Sequence, residues 1–372
     1  IYLYIWYSSY MKIGVPKEIK NNEYRVALTP SSVKTLSDQS HDIYIQSGAG
    51  DAIGFTDNDY IKSGATILDS AKDIYETSSL IIKVKEPMPS EFKFLKKEHT
   101  LFTYLHLAGE PQQAIDLMAT GVTGIAYETV TADDGSMPLL APMSAIAGQL
   151  SFIVGSYHLL KPNQGMGTLI GNFKDIEPRV VTVIGAGVAG TEAIEKAISN
   201  KAHVKIIDLS EKRLNDLKDI FGSSNIDYII SSESSIEHAI QESDLVIGAV
   251  YVVGKQAPKV VKNNMLEKMK PGAVLVDISI DQGGCFESSK PTTHDEPTYL
   301  YKDVLHYCVT NMPGAVPLTA TEALNKATLP YILELANKGI ELALQENIHL
   351  ANGLNIKNGE VVHPAVKEAI NL

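Results

Sequence analysis

Four basic side chains in the first third of the chain stand where basic side chains are unusual. Arg25 leaves a polar turn directly before an apolar pair in NNEYRVALTP. Lys83 and Lys85 interrupt the apolar run LIIKVKEP, and His106 closes the apolar run TLFTYLH. A guanidinium grips a carboxylate with two hydrogen bonds, a lysine polarises a carbonyl oxygen, and an imidazole transfers protons near neutral pH. An Arg–Lys–His set therefore suits chemistry on a small acid that carries a carbonyl group.

Each of these residues also has a purely structural interpretation. Arg25 could form a surface ion pair, and the two lysines could extend from an edge strand into solvent. His106 could be a hydrogen-bonded core residue. The functional interpretation depends on whether the fold brings the residues together and on whether a cofactor accompanies them.

The elements that must position these residues alternate between short β-rich runs and amphipathic stretches, which indicates an α/β protein with parallel sheets. Predicted strands lie at 12–15, 42–46, 80–85, 100–105 and 124–128, with helical stretches at 30–38, 57–64 and 111–120. A long helix is predicted over 141–160. A second series of strands follows at 179–184, 203–208, 226–230, 244–250, 273–278 and 305–309, and a helical pattern containing Pro330 leads from Asn311 to the C-terminus. Lys85 and His106 each end a strand, where parallel sheets bind ligands.

The strongest cofactor motif is RVVTVIGAGVAGTEAIEKA, residues 179–197. An apolar strand runs into Gly185-x-Gly187-x-x-Gly190, and a helical pattern follows at once. In a dinucleotide-binding turn these glycines permit the tight turn, the approach of the pyrophosphate and close helix–strand packing. Asp208 ends the next strand, 23 residues after Gly185. A carboxylate there accepts hydrogen bonds from ribose hydroxyls and repels a 2′-phosphate, so the motif favours NAD over NADP.

A second glycine-rich stretch, SGAGDAIGF at 47–55, resembles this motif only superficially. Its third glycine comes one residue late, and the polar TDNDY follows instead of an apolar helix. We expect a loop there.

Composition restricts the class of protein. The 372 residues are long enough for two domains, and 44% hydrophobic with 20% charged residues is typical of a globular chain. The net charge of −12 argues against a nucleic-acid partner, and no apolar run is long enough for a membrane helix. Cys285 and Cys308 lack metal-ligand spacing, so we expect free thiols, a reducing compartment and no metal. The segment IYLYIWYSSY (1–10) is interpreted as an extension outside the fold.

Nine segments, in this order, resemble the signature segments of bacterial L-alanine dehydrogenases. They are IGVPKEIKNNEYRVALTP, LIIKVKEP, LFTYLHLAGE, GIAYETV, PLLAPMSAIAG, VIGAGVAG, DISIDQGGCFE, PTTHDEPTY and NMPGAVP. The resemblance extends over essentially all of 11–372. The related NAD-binding subunit of transhydrogenases shares the KEP and glycine features.

The resemblance implies two doubly wound α/β domains. A discontinuous substrate domain, 11–140 with 311–372, would surround an inserted Rossmann NAD-binding domain, 141–310. It also implies a cytoplasmic homohexamer that converts L-alanine, NAD⁺ and water reversibly to pyruvate, ammonia and NADH.

The same resemblance implies roles for individual residues. Arg25 would bind the substrate carboxylate, and Lys85 would hold the keto or amino centre. His106 would be the acid/base, and Asp281, from the NAD domain, the second catalytic group. The residues that would line the cofactor are Ser144, Gly185, Gly187, Val188, Ala189, Gly190, Asp208, Arg213, Ser231, Val250, Ile278, Asn311 and Met312.

Three alternatives keep a similar fold. An NAD-binding subunit of a proton-translocating transhydrogenase would carry an Arg-Gln-Asp loop, and this tripeptide does not occur in the sequence. A non-catalytic NAD-sensing protein would not need Arg25, Lys85, His106 and Asp281 together. An opine- or saccharopine-type dehydrogenase would need a larger pocket for its second substrate.

Overall fold

The computed structural model describes residues 10–252 and 256–370. Within them the chain divides into two compact units, and the second interrupts the first. The first unit comprises 10–143 and 316–370, and the second comprises Ser144–Ala315 without the three undescribed positions. Apart from Tyr10, the predicted extension at 1–10 lies outside the described residues.

Strands and α-helices alternate through both units. The strands are β1 (Lys12–Val15), β2 (Asp42–Gln46), β3 (Thr66–Leu68), β4 (Leu80–Ile82), β5 (Thr100–Thr103), β6 (Thr123–Ala126), β7 (Val180–Ile184), β8 (His203–Asp208), β9 (Ile226–Ile230), β10 (Leu245–Gly248), β11 (Val274–Asp277), β12 (Thr298–Tyr301), β13 (Val304–Tyr307), β14 (Leu354–Lys357) and β15 (Glu360–Val361). The helices are α1 (Pro30–Ser37), α2 (Asp57–Lys62), α3 (Ala71–Thr77), α4 (Pro111–Thr120), α5 (Ala141–His158), α6 (Val188–Ser199), α7 (Glu211–Phe221), α8 (Glu233–Glu242), α9 (Pro317–Lys338), α10 (Ile340–Glu346), α11 (Ile348–Ala351) and α12 (Pro364–Ala369).

The sheet of the first unit has the order β15-β14-β6-β5-β4-β1-β2-β3. β1 to β6 are all parallel, and β14 adds to β6 in the antiparallel direction. The chain proceeds from β1 toward β2 and β3, then crosses back to β4 on the other side of β1. This point between β1 and β4 is where the strand order reverses, and α/β sheets bind ligands beyond the carboxyl ends of the strands at such a point.

The sheet of the second unit has the order β12-β13-β11-β10-β7-β8-β9. Its parallel strands follow the doubly wound order of dinucleotide-binding domains, with the reversal between β7 and β10, and β12 is an antiparallel edge strand. β10 and β11 are buried along their whole length, as expected for strands covered on both faces. The predicted α/β fold of two doubly wound domains is confirmed.

Helix α9, which follows the inserted second unit, is hydrogen-bonded to the start of α1 in the first unit. Thr29 caps α1 by accepting the backbone N–H of Ser32, and Pro30 occupies the first turn. Asn325 of α9 accepts the backbone N–H of Thr29 at 2.9 Å and donates to the carbonyl of Ala27 at 2.9 Å. These buried bonds join α9 to the segment that carries Arg25.

The prediction of a helical pattern to the C-terminus is wrong beyond α11. After Gly339 the chain forms two short helices, then the β14–β15 hairpin and α12. Asn358 and Gly359 both have positive φ, at 54° and 76°, which allows the tight hairpin turn. The segment 66–77, without a predicted element, forms β3 and α3.

Two other expectations are confirmed. The glycine-rich stretch at 47–55 forms a turn and a short 3-10 helix, and the helix that follows, α2, has six residues. Cys285 and Cys308 are buried free cysteines. Among the described residues, no helix combines the length and apolarity needed to cross a membrane.

Candidate active site

The carboxyl ends of β1, β4 and β5 bring ionisable side chains to one edge of the first sheet. Glu18 and Lys20 follow β1, Lys83 to Glu86 follow β4, and His106 follows β5. β4 pairs with both β1 and β5, so the three strand ends are adjacent. The predicted strand 80–85 ends at Ile82, which leaves Lys83 and Lys85 beyond the sheet at the point where the strand order reverses.

Arg25 is buried and is held by a carboxylate two residues away. Its side chain is 2% exposed, and its Nε donates to Glu23 Oε1 at 2.6 Å while Nη2 donates to Oε2 of the same carboxylate. The backbone N–H of Arg25 also donates to Glu23 Oε1, at 3.1 Å. A bidentate pair of this kind fixes the plane of the guanidinium. The interpretation of Arg25 as part of a surface ion pair is therefore wrong, because Arg25 and Glu23 are both buried.

His106 adopts a backbone conformation that few non-glycine residues adopt. Its φ is 51°, and β5 ends three residues earlier, at Thr103. Glu128, just beyond β6, accepts the backbone N–H of His106 at 2.6 Å and that of Leu105 at 3.2 Å. The imidazole stacks on Tyr104 with ring centroids 5.7 Å apart. Glu128 thus fixes the direction in which the chain leaves β5.

The electrostatics of His106 tie it to Lys85 and Arg25. Burial and the nearby ammonium of Lys85 lower the pKa of His106 to about 3, with smaller contributions from Lys20 and Arg25, while Glu86 opposes the shift. The imidazole is therefore neutral at pH 7 and able to accept a proton. Lys85 also belongs to the charges that lower the pKa of Glu86. Lys85 and Arg25 thus both lie within electrostatic range of His106.

Lys83, two residues before Lys85, is held by two carboxylates. Lys83 is 0% exposed and lies 3.1 Å from Glu18 Oε2 and 3.2 Å from Glu91 Oε1. These carboxylates raise the pKa of Lys83 against the effect of burial, so it is a buried cation. The interpretation of Lys83 and Lys85 as lysines that extend from an edge strand into solvent is wrong, because both are buried and β4 lies between β5 and β1.

In the second unit, two glycines of the nucleotide motif are sterically required. Gly185 has a φ of 93°, and a Cβ there would lie 2.6 Å from the carbonyl oxygen of Ala249. A Cβ on Gly190 would lie 1.8 Å from the carbonyl oxygen of Gly185. The turn between β7 and α6 therefore packs against itself and against the end of β10, at the point where the strand order of this sheet reverses.

The surroundings of Gly187 fit a dinucleotide. A Cβ at this position would meet no atom within 4 Å, and Gly187 caps the N-terminus of α6, whose free N–H groups attract phosphate. Asp208 ends β8 and accepts the backbone N–H of Ala186 at 2.8 Å, which places a carboxylate beside the glycine turn. Open space, helix terminus and carboxylate are the three parts that the motif predicts.

Arg213 and Ser231 adjoin the same turn. Arg213 donates from Nε to the carbonyl of Ala186 at 2.8 Å and from Nη2 to Thr191 Oγ1 at 2.7 Å. The backbone N–H of Ser231 donates to the carbonyl of Asp208 at 2.9 Å.

The other residues expected around the cofactor are spread over several elements. Val188 and Ala189 form the first turn of α6, and the carbonyl of Val250, just after β10, accepts a hydrogen bond from Ser279 Oγ at 2.7 Å. Ile278 begins the 3-10 helix after β11, Ser144 lies in α5, and Asn311 and Met312 precede α9.

Asp281 lies in the second unit, near the end of the 3-10 helix Ile278–Gln282, and is exposed. Asp277, at the end of β11, caps this helix by accepting the backbone N–H of Ser279 at 3.0 Å and also accepts that of Cys285 at 2.9 Å. Arg25, Lys85 and His106 belong to the first unit. Among the described residues, no group of His, Cys, Asp and Glu side chains is arranged to hold a metal ion.

Sequence reasoning missed the carboxylates that hold the basic groups: Glu18, Glu23 and Glu128. Two of them carried a usable signal. Glu18 comes shortly after the predicted strand at 12–15, and Glu128 ends the predicted strand at 124–128. Strand ends are the positions that singled out Lys85 and His106. Glu23 had no such signal, because its role depends on burial with Arg25.

Comparison with known proteins identifies the family. The C-terminal domain of the alanine dehydrogenase/PNT family matches residues 151–364, and the N-terminal domain of the same family matches residues 14–147. The chain belongs to the alanine dehydrogenase/PNT family.

Curated members of the family resemble the chain over nearly its whole length. Alanine dehydrogenase from Halomonas elongata is 48% identical over 362 residues, 97% of each chain. Alanine dehydrogenase from Mycobacterium tuberculosis is 46% identical over 356 residues, 96% of each chain.

A solved structure agrees with this family assignment, and a second one shares the fold. An L-alanine dehydrogenase superposes with a TM-score of 0.92 at 47% identity, covering 97% of this chain and 99% of the other. A transhydrogenase from Sinorhizobium meliloti has a TM-score of 0.79 at 24% identity, covering 95% of this chain and 99% of the other, and shares the fold.

Proposed function

We propose that the chain is an NAD-dependent alanine dehydrogenase, which converts L-alanine, NAD⁺ and water reversibly to pyruvate, ammonium, NADH and a proton. The identity of 48% over 97% of the chain to a curated alanine dehydrogenase is the observation that carries this proposal. Arg25, Lys85 and His106 agree with it, because these groups match an α-amino or α-keto acid.

In this proposal Arg25 binds the substrate carboxylate. Glu23 already orients the guanidinium, so little freedom remains to be lost when an acid binds. A fixed carboxylate places the α-carbon in one position, which is the main contribution a binding residue makes to such a reaction.

In the same proposal, Lys85 stabilises charge on the substrate oxygen and His106 transfers a proton. Lys85 stabilises negative charge on the oxygen that becomes the carbonyl of pyruvate. His106 is neutral and accepts a proton from water as water adds to the imine carbon, with Asp281 as the second proton-transfer group. A bound substrate carboxylate offsets the positive charges of Lys85 and Arg25, so we expect substrate to raise the pKa of His106.

NAD is the proposed cofactor, held by Gly185, Gly187, Gly190 and Asp208. When bound it accepts the hydride that leaves the α-carbon of alanine. The helix N-terminus at Gly187 would take its pyrophosphate, and Asp208 would take the ribose hydroxyls and disfavour NADP. The domain roles follow: 11–140 with 311–372 for substrate, and 141–310 for cofactor.

We further propose a cytoplasmic homohexamer. Ile153 and Tyr157 of α5 are 52% and 57% exposed, and an assembly that covers them would remove an apolar surface from water. Light scattering of the purified protein measures its mass directly.

NADH oxidation tests the activity. The proposal expects turnover that requires both pyruvate and ammonium, with NADPH a much poorer substrate. Turnover absent under these conditions would contradict it. Hydride exchange between NADH and an NADP analogue without either substrate would favour a transhydrogenase subunit.

A further inference from the structure

At the carboxyl end of the first sheet, a buried carboxylate connects the end of β1 to the residues that follow β4. Glu18 is three residues beyond β1, and its side chain is 4% exposed. Its Oε1 accepts the backbone N–H of Val84 at 2.7 Å and that of Lys85 at 3.3 Å. The activity proposed above assigns a role to Lys85 and none to Glu18.

The backbone of Lys85 needs such a partner because β4 has already ended at Ile82. Its N–H is bound by Glu18, and its carbonyl accepts a hydrogen bond from Thr103 Oγ1 at 2.8 Å. Lys85 is therefore held from β1 on one side and from β5 on the other, at the point where the strand order reverses.

Glu18 is itself held by a buried ion pair. Its Oε2 lies 3.1 Å from Lys83 Nζ, and the same ammonium lies 3.2 Å from Glu91 Oε1. Glu91 also accepts the hydroxyl of Tyr75 at 2.9 Å, and its Oε2 accepts the backbone N–H of Met88 at 2.8 Å. The two glutamates thus share one buried cation, but Glu18 turns its other oxygen to Val84 and Lys85, whereas Glu91 turns its other oxygen to Met88.

We propose that Glu18 is a positioning residue, which fixes the backbone of Lys85 at the strand-order reversal of the first sheet so that the lysine reaches the reacting oxygen. Lys83 anchors the carboxylate from the other side. This inference rests on the function proposed above. It also assigns a role to the buried Lys83, which holds the carboxylate of Glu18 in place.

The chain offers a matched control, because Glu18 and Glu91 both pair with Lys83. Glu18→Ala and Glu91→Ala each remove one carboxylate from the same buried ammonium, so both should lower the melting temperature. Glu18→Ala should in addition lower kcat/KM for L-alanine by about 10- to 100-fold, mainly through kcat, because small displacements of a reacting group are costly. Glu91→Ala should keep kcat/KM close to the wild-type value.

If either alanine variant does not fold, Glu18→Gln and Glu91→Gln replace them. The glutamine oxygen can still accept the N–H groups of Val84 and Lys85, so Glu18→Gln should recover part of the activity that Glu18→Ala loses. Equal kcat/KM in the Glu18 and Glu91 variants, measured below both melting temperatures, would overturn the proposal.

Hydrogen exchange separates this proposal from the proposed function. The amides of Val84 and Lys85 should exchange faster in the Glu18 variant than in the Glu91 variant, whatever substrate the protein uses. A wild-type protein without alanine-dependent turnover would contradict the function, and equal exchange of the two amides in both variants would contradict the role of Glu18.

Discussion

Arg25 illustrates how burial changes the interpretation of a single residue. Taken alone in the sequence, it is compatible with a surface ion pair as well as with a substrate-binding group. In the structure its guanidinium is buried and bound at two nitrogens by Glu23. A buried ion pair is weak evidence for stabilisation on its own, since desolvation offsets much of the attraction. We therefore interpret the pairing of Arg25 with Glu23 as a means of orienting the guanidinium toward the substrate carboxylate.

Arg25→Lys tests this explanation at constant charge. Lysine lacks the planar fork, so the substrate carboxylate loses a hydrogen bond to a charged group, an interaction that contributes about 1.5–3 kcal/mol. We expect KM for L-alanine to rise by roughly 10- to 100-fold in steady-state kinetics. Arg179→Lys, just before β7, is the control and should leave KM unchanged. An unchanged KM in Arg25→Lys would remove Arg25 from the substrate site.

At the scale of elements, prediction succeeded where the signal is local. The turn between β7 and α6 was predicted from consecutive residues, because an apolar strand, three glycines and a helix follow one another directly. The β14–β15 hairpin was missed although Asn358-Gly359 is a local turn signal, because β14 is short and its partner, β6, is more than 220 residues away. Glu23 was missed for a related reason: it acts through a buried contact with Arg25 that the fold creates.

Two glycines of the same turn should respond differently to an added methyl group. Gly190→Ala places Cβ against the carbonyl oxygen of Gly185, so we expect a loss of roughly 1–3 kcal/mol or more in stability. The Cβ added in Gly187→Ala would have no protein atom within 4 Å, so this variant should preserve the melting temperature. It should instead weaken NADH binding about tenfold or more, ~1.4 kcal/mol, because the methyl group occupies the space proposed for the pyrophosphate.

Calorimetry and NADH fluorescence titration measure the two effects. If Gly187→Ala binds NADH as tightly as the wild type, the pyrophosphate does not lie at Gly187 and the proposed cofactor position is wrong. A Gly190→Ala variant with wild-type stability would contradict the packing of the turn.

At the scale of the whole molecule, the two units repeat one architecture and use it differently. Within the described residues, each has six parallel strands in the same doubly wound order, and each has candidate residues where that order reverses. The first unit places charged side chains there, and the second places glycine backbone. The alternation of strands and helices in the sequence predicted both sheets, but their edges depend on pairings that no local pattern specifies.

Histidines with a lowered pKa in the two units should make the molecule sensitive to acid. Burial lowers the pKa of His306 to about 4, and the pKa of His106 is about 3. As pH falls below about 6.5, the unfolded chain protonates these residues while the folded chain does not, so the free energy of unfolding decreases toward pH 4. His306, which is fully buried, should contribute roughly 2–3 kcal/mol to this decrease.

His306→Phe isolates this contribution. Carboxyl groups whose pKa is raised by burial, such as those of Glu18 and Asp277, act in the opposite direction and are the same in both proteins. The variant loses the hydrogen bond between His306 Nε2 and Ser288, so its stability at pH 7 should be lower. The free energy of unfolding, measured with urea between pH 7 and pH 4, should nevertheless depend less steeply on pH than in the wild type. Identical slopes would show that His306 does not titrate on unfolding.

The central claim is that His106 transfers protons at a site where Arg25 and Lys85 hold an amino acid. The most direct measurement compares kcat/KM for L-alanine in His106→Ala and His99→Ala. His99 is a buried histidine of the same unit, whose ring bonds to the backbone carbonyl of Tyr75 at 2.8 Å. We predict a loss of at least about 100-fold for His106→Ala, in the range for removal of a general acid–base group, and near wild-type activity for folded His99→Ala. Wild-type kcat/KM in His106→Ala, or an equal loss in both variants, would contradict the account.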